Sequence, residues 1–304
     1  MKKILVTGGT VFVSCYVAEY FAKAGHEVYV LNRNHRPQPE NTTLIEADRH
    51  ELGERLRDYH FDAVLDVTAY NGQDVSDLLD ALGEFKTYIL ISSSAVYPET
   101  ERQPFTEDTP TGENHIWGKY GTDKIDAEKV LTARVPEAYI LRPPYLYGPM
   151  NNVYREAFVF DCALRDRSFC LPKDGSMKLQ FFHVRDLCRV MERILEEQPA
   201  QHIFNVGNEE AVSIREWVAL CYEALGKSPV YREVWDQPNQ RDYFSFYEYE
   251  YFLDVGRQRE LLPNTTGLVQ GLKEAADWYL AHRDLVARKP YLTYIDDHIL
   301  NRQS

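Results

Sequence analysis

Cysteine is scarce in this chain and poorly arranged for pairing. Cys15, Cys162, Cys170, Cys188 and Cys221 are odd in number, scattered, and include no Cys-x-x-Cys. They offer neither a disulfide framework nor a zinc site and fit a reducing, cytoplasmic setting. The nine histidines show no ligand spacing. Asp296, Asp297 and His298 stand together near the end, but such a run is more often a solvated tail, so no metal is expected. Apolar runs are short, and none approaches the ~20 residues of a membrane helix. After Lys2 and Lys3 the apolar stretch Ile4-Leu5-Val6 stops at Thr7-Gly8-Gly9, which reads as a first β-strand rather than a targeting segment. Positive charge is in deficit, with 34 Lys and Arg against 47 Asp and Glu and a net charge of −13. That balance disfavours binding to nucleic acid or to an anionic membrane surface. Internal repeats and low-complexity linkers are also absent.

What is present is an alternation. Apolar, β-branched segments at 4–7, 27–32, 43–47, 61–68, 88–92 and 138–141 are interleaved with helical patterns at 11–24, 75–85 and 119–134. Strands alternating with helices need crossover connections, hence a parallel sheet with helices on both faces. The fold class is α/β, a Rossmann-type doubly wound sheet with a smaller C-terminal substrate lobe. The expected division is 1–165 for the dinucleotide-binding domain and 166–304 for the lobe, with 202–208 returning to the sheet. Beyond Pro143 the proline and aromatic content rises. Ser213-Ile214-Arg215-Glu216 there reads as a capping box before the apolar face of Trp217, Cys221, Ala224 and Leu225. The stretch 231–252, dense in Tyr, Phe and acids, reads as a pocket lining or equally as lobe core.

Three clusters carry chemistry. The first strand runs into Gly8-Gly9-Thr10-Val11-Phe12 at a helix start, where free N–H groups and the positive dipole end suit a diphosphate. Val11 and Ser14 stand where a Gly-x-x-Gly-x-x-Gly pattern places its second and third glycines. After the second strand the usual acidic acceptor for a ribose 2′-hydroxyl is missing, and Asn32-Arg33-Asn34-His35-Arg36 takes its place. Two arginines there favour a 2′-phosphate, hence NADP over NAD, although a solvated charge run reads equally well. Asp48 either meets an adenine amino group or caps a turn. The third cluster is Ser93 at a strand end, with Tyr120 and Lys124 one helical turn apart. A tyrosine titrates near pH 10, and a base working near neutrality needs that lowered by roughly 3 units, or about 4 kcal/mol. A lysine on the same helix face supplies much of this, and a serine at the C-terminal edge of the sheet lies where open α/β sheets bind ligands. With 21 tyrosines, about one Tyr-x-x-x-Lys arises by chance, so order and context give the motif its weight.

These pieces together resemble an extended short-chain dehydrogenase/reductase of the NAD-dependent epimerase/dehydratase kind. The resemblance rests on residues 6–10 and 92–97, on Tyr120-Gly121-Thr122-Asp123-Lys124 with Glu128, and on 141–149, 182–187 and 204–208, ending with Trp278. It implies Tyr120 as the base, Lys124 as its electrostatic partner and Ser93 as the hydroxyl anchor, four residues before Tyr97. The candidate cofactor contacts are Gly8, Gly9, Thr10, Val11, Phe12, Asn32, Arg33, Asp48, Tyr120, Lys124 and Pro143, and the candidate substrate contacts are Ser94 and Arg241, the arginine reading equally well as a surface residue. The implied activity is epimerisation, or a related reversible oxidoreduction, of a nucleotide-activated sugar through a keto intermediate. The implied partner is that small molecule, and a homodimer is compatible with it. Ser94-Ala95 occupies the place of the Asp-Glu pair of 4,6-dehydratases, which disfavours dehydration. The segment 66–71 lacks the family's His-x-Ala-Ala, so it places no catalytic asparagine. Parts of the chain also resemble the chloroplast stem-loop-binding branch, leaving a non-catalytic RNA-binding or scaffold protein as one alternative. A reductase of a non-nucleotide carbonyl compound is another.

Overall fold

A computed structural model describes residues 1–301. Six of the seven strands of the main sheet come from the first half of the chain: β1 (Lys3–Thr7), β2 (Glu27–Asn32), β3 (Thr42–Glu46), β4 (His60–Asp66), β5 (Glu84–Ile91) and β6 (Tyr139–Arg142). The seventh, β7 (Ile203–Asn205), lies beside β6, and the spatial order is β7-β6-β5-β4-β1-β2-β3 with every pairing parallel. The order of connection reverses between β1 and β4, and the crevice at their C-terminal ends is where doubly wound sheets bind ligands.

Alternation along each strand divides the side chains between two cores. Ile4 and Val6 join Val28, Val30, Leu65 and Ile89 against α1 (Phe12–Lys23) and α4 (Val184–Glu197). Leu5, between them in sequence, joins Leu31, Val64, Leu90 and Ile140 against α2 (Gly72–Ala81) and α3 (Lys119–Arg134). Strands buried on both faces read as continuous apolar runs, which is why these segments were visible in the sequence.

The boundaries around α2 and the start of β5 differ from the sequence reading. A helix was expected over 75–85, but α2 begins at Gly72 and a strand already starts at Glu84. The side chain of Asn71 accepts from the backbone N–H of Asp74 while Asp74 reaches back to the N–H of Asn71, a reciprocal cap that starts the helix a turn early. At the other end Glu84-Phe85-Lys86-Thr87 alternates polar and apolar along the β4 edge, so strand pairing overrides the helical pattern.

The chain divides into two compact units, one comprising Met1–Leu146, Phe182–Glu209 and Leu253–Thr265, the other Tyr147–Phe181, Glu210–Phe252 and Thr266–Ser304. The first division falls at 146/147, where the sequence reading put it at 165/166. The second unit is built on aromatic packing. Phe181 stacks on Trp217 at 5.5 Å, Trp217 meets Phe246 edge-on at 5.2 Å, and Phe244 joins both Phe246 and Phe169. The aromatic stretch 231–252 thus contributes Tyr243, Phe244, Phe246 and Tyr251 to that unit's core. Of the capping box expected at the helix Ile214–Glu223, the structure shows the Ser213 half, its Oγ accepting from the Glu216 N–H at 3.1 Å.

Candidate active site

The diphosphate-type loop follows β1. Gly8 and Gly9 both have positive φ, +85° and +88°, and a side chain on either would collide with a neighbour. A Cβ at Gly8 would lie 2.7 Å from Thr68 Cγ2 and 2.9 Å from Ser14 Oγ; one at Gly9 would lie 2.6 Å from Val30 Cγ1. Fold packing therefore requires both glycines. Ser14, at the third glycine position, is accommodated because its hydroxyl turns back to donate to the Val11 carbonyl at 2.9 Å. Val11 is the extended residue preceding α1, and Phe12 takes a positive φ of 36°, an uncommon conformation for a side chain of its size. No side chain caps the α1 N-terminus and its first turn carries no acid, so its N–H groups and dipole remain suited to an anion. The residues present thus fit a dinucleotide diphosphate.

At the end of β2 the Asn32 carboxamide closes the loop. Its Nδ2 donates to the Gly8 carbonyl at 2.6 Å and its Oδ1 accepts from the Asn34 N–H at 2.9 Å. Arg33 is exposed and stands 3.7 Å from Asp48. Asp48 also caps the short turn that follows it by accepting from the His50 N–H.

The candidate residues Ser93, Tyr120 and Lys124 lie near the ends of β5 and β6. Ser93 is partly buried, extended, and accepts from the Ala95 N–H at 3.2 Å; Ser94 is buried and donates its N–H to the Pro143 carbonyl at 2.9 Å. Helix α3 begins against this turn. A Cβ at Gly121 would sit 2.4 Å from the Ala95 carbonyl oxygen, so the glycine after Tyr120 is what allows the helix to approach. Tyr120 is 43% exposed in the first turn of α3. Lys124, one turn on, is buried and donates to the carbonyls of Ala69 at 2.7 Å and Ile91 at 2.8 Å, with the Tyr70 ring 5.3 Å from its ammonium. Burial pulls its pKa down to about 8, against the raising influence of Asp66, Glu128 and Asp74.

Two buried networks flank this lysine, and the sequence reading assigned neither a role. On one side Asp66 accepts from Thr7 at 2.8 Å, Tyr88 at 2.6 Å and Arg49 at 2.7 Å. Arg49 also reaches Thr68 and the Asp74 carbonyl, pinning the loop that presents the Ala69 oxygen. On the other side Glu128 receives both Ser92 and Arg142. The carboxylates and arginines were visible in the sequence, but they lie 14 to 17 residues from their partners, beyond the reach of any local motif.

Arg241 belongs to the second unit, where its guanidinium donates to the Ser245 and Phe244 carbonyls and lies over the Tyr247 ring at 4.7 Å. Among the described residues no group of His, Cys, Asp or Glu is arranged to hold a metal, and no helix is long and apolar enough to cross a membrane.

Comparison with known proteins gives one consistent grouping. A family model described as the NAD dependent epimerase/dehydratase family matches residues 4–207. The chloroplast stem-loop binding protein of 41 kDa b from Arabidopsis thaliana is 26% identical, covering 99% of this chain and 85% of that protein. A UDP-glucose 4-epimerase of Corynebacterium glutamicum is also 26% identical, over 76% of this chain and 83% of its own length. Among solved structures, a UDP-glucuronic acid 4-epimerase from Bacillus cereus, in complex with UDP-glucuronic acid and NAD, superposes with a TM-score of 0.72 at 20% identity. That likeness covers 92% of this chain and 99% of the other. A UDP-glucose 4-epimerase from Thermotoga maritima with UDP-glucose gives 0.75 at 21% identity, over 92% and 99%.

Proposed function

The chain belongs to the NAD dependent epimerase/dehydratase family of enzymes, and from that premise we propose that it epimerises, or reversibly oxidises, a nucleotide-activated sugar. The observation that carries this reading is the placement of Lys124. It is buried, held by two main-chain oxygens, and set one helical turn after an exposed Tyr120. In this reading Tyr120 removes the proton of a sugar hydroxyl, Ser93 hydrogen-bonds the same oxygen, and the Lys124 ammonium lowers the cost of the tyrosinate. The nicotinamide cofactor supplies a hydride acceptor and donor. Gly8, Gly9, Thr10, Val11 and Phe12 would hold its diphosphate through the α1 N-terminus, with Asp48 and Pro143 completing the contacts. Asn32 and Arg33, in place of an acidic residue, favour NADP over NAD. Ser94 is assigned to the substrate; Arg241, whose guanidinium is held by the Phe244 and Ser245 carbonyls of its own unit, is given no part in it.

Calorimetric titration of cofactor-stripped protein with NAD⁺ and then NADP⁺ tests the reading. Micromolar binding of either supports it, and tighter binding of NADP⁺ supports the Arg33 assignment. Absence of binding at millimolar ligand overturns it. The near full-length similarity to a chloroplast stem-loop binding protein favours a second reading, a non-catalytic RNA binder on the same fold. A stem-loop RNA titrated in the same way separates the two: micromolar RNA binding without dinucleotide binding supports the second reading, whereas the net charge of −13 predicts only weak RNA binding.

A further inference from the structure

A chain of buried polar side chains passes behind the reacting centre without entering it. Ser92 Oγ donates to Glu128 Oε1 at 2.5 Å, and Arg142 clasps the same carboxylate through Nε at 3.0 Å and Nη2 at 2.6 Å. The remaining arm of Arg142 donates to the Tyr97 hydroxyl at 2.8 Å, and Tyr97 donates to Asn205 Oδ1 at 2.7 Å. The Asn205 N–H then reaches Glu107. Glu128 and Arg142 are both more than nine-tenths buried. A buried ion pair is a poor device for stability alone, because well-packed apolar residues of similar size often do as well or better, while removing one partner leaves an uncompensated buried charge. Its location points to a different role. Glu128 lies one helical turn beyond Lys124 and two beyond Tyr120 on α3, and Ser92 immediately precedes Ser93. The pair therefore ties together the two segments that carry the three reacting groups.

We propose that Glu128 and Arg142 are positioning residues that clamp α3 to the ends of β5 and β6 and set both the place and the charge environment of Lys124. This rests on the reading of Lys124 as the partner of Tyr120. The groups acting on the Lys124 ammonium are Asp66 from β4, Arg49 from the turn after β3, Asp74 from α2 and Glu128 from its own helix. The Tyr70 ring and the Ala69 and Ile91 carbonyls touch it. Of these charged groups, Glu128 is the one whose charge is cancelled by an arginine gripping both oxygens, so altering the pair alters geometry and charge in separable ways.

The test uses the full chain labelled with ¹³C-lysine. The Lys124 side-chain resonance is assigned by its loss in Lys124→Gln and then titrated, which requires no substrate and no turnover. Glu128→Gln removes a negative charge and leaves Arg142 uncompensated, so the Lys124 midpoint should fall by about one pH unit. Arg142→Lys keeps the charge but loses the two-pronged grip, so the midpoint should stay while kcat falls by about 10²-fold, with the cofactor KM little changed. If Glu128→Gln does not fold, the paired Glu128→Met/Arg142→Met variant, which leaves no unpaired charge, decides the matter. A folded double variant with wild-type kcat, or a Glu128→Gln protein whose Lys124 midpoint does not move, overturns the proposal. Turnover that survives Tyr120→Phe would instead defeat the underlying reading, and the lysine titration would still report on the clamp.

Discussion

At the ends of β1 and β2 the candidate site is made of backbone, whereas at the ends of β5 and β6 it is made of side chains. The first half offers N–H groups and a helix end, and two of its three glycine positions have been filled by other residues. It accommodates Ser14 locally, through its hydroxyl bonding the Val11 carbonyl. The second half has no such slack. Lys124 is held by two carbonyls, Gly121 by the oxygen of Ala95, and Glu128 by both prongs of Arg142. A backbone cradle tolerates side-chain replacement as long as the chain can still turn, while a constellation of side chains depends on each member's identity.

The largest test of that contrast is Tyr120→Phe. Loss of the hydroxyl should lower kcat by about 10³-fold while the affinity for NAD(P)⁺ by calorimetry stays within a factor of two. Equal losses in both would break the separation of the halves. On the backbone side the sensitive position is a glycine. Gly9→Ala places a Cβ on Val30 at positive φ, and chemical denaturation should report a loss of about 2 kcal/mol, where a side-chain view of the loop predicts none.

A third test is pH. Burial lowers the Lys124 pKa from its usual 10.5 to about 8. Because the charged form is the disfavoured one, its burial costs stability fully below pH 8, and that cost is relieved as pH rises from 8 towards 10.5. Activity runs the opposite way, since the lysine assists as an ammonium. Turnover should fall about tenfold per unit above pH 8 while the folded state loses nothing from this group, and a rate flat to pH 10 would remove Lys124 from the mechanism. The smallest expected effect is Arg33→Ala. That residue is exposed and pairs only loosely with Asp48, so the ratio of NADP⁺ to NAD⁺ affinity should drop by about 5- to 10-fold, read from the two calorimetric dissociation constants.

Much of the fold was legible from the sequence because its strands are buried on both faces and its helices on one. Tyr120 and Lys124 were legible for a similar local reason, four residues being one helical turn. The start of α2 carried a readable Asn71-x-x-Asp74 cap that the apolar pattern obscured, and the start of β5 depended on pairing with β4. The partners of Lys124 were not legible, because a main-chain oxygen 55 residues away leaves no mark on residue identity.

The sequence by itself determined the alternating parallel architecture, the glycine turn after β1 and the spacing of tyrosine and lysine on one helix face. All of these follow from periodicity and steric limits within a few residues. Only the tertiary structure decided that Asp66 answers Arg49, that Glu128 answers Arg142, and that both networks flank one buried ammonium. Burying a charge demands partners wherever the fold can bring them, and sequence distance places no bound on where that is.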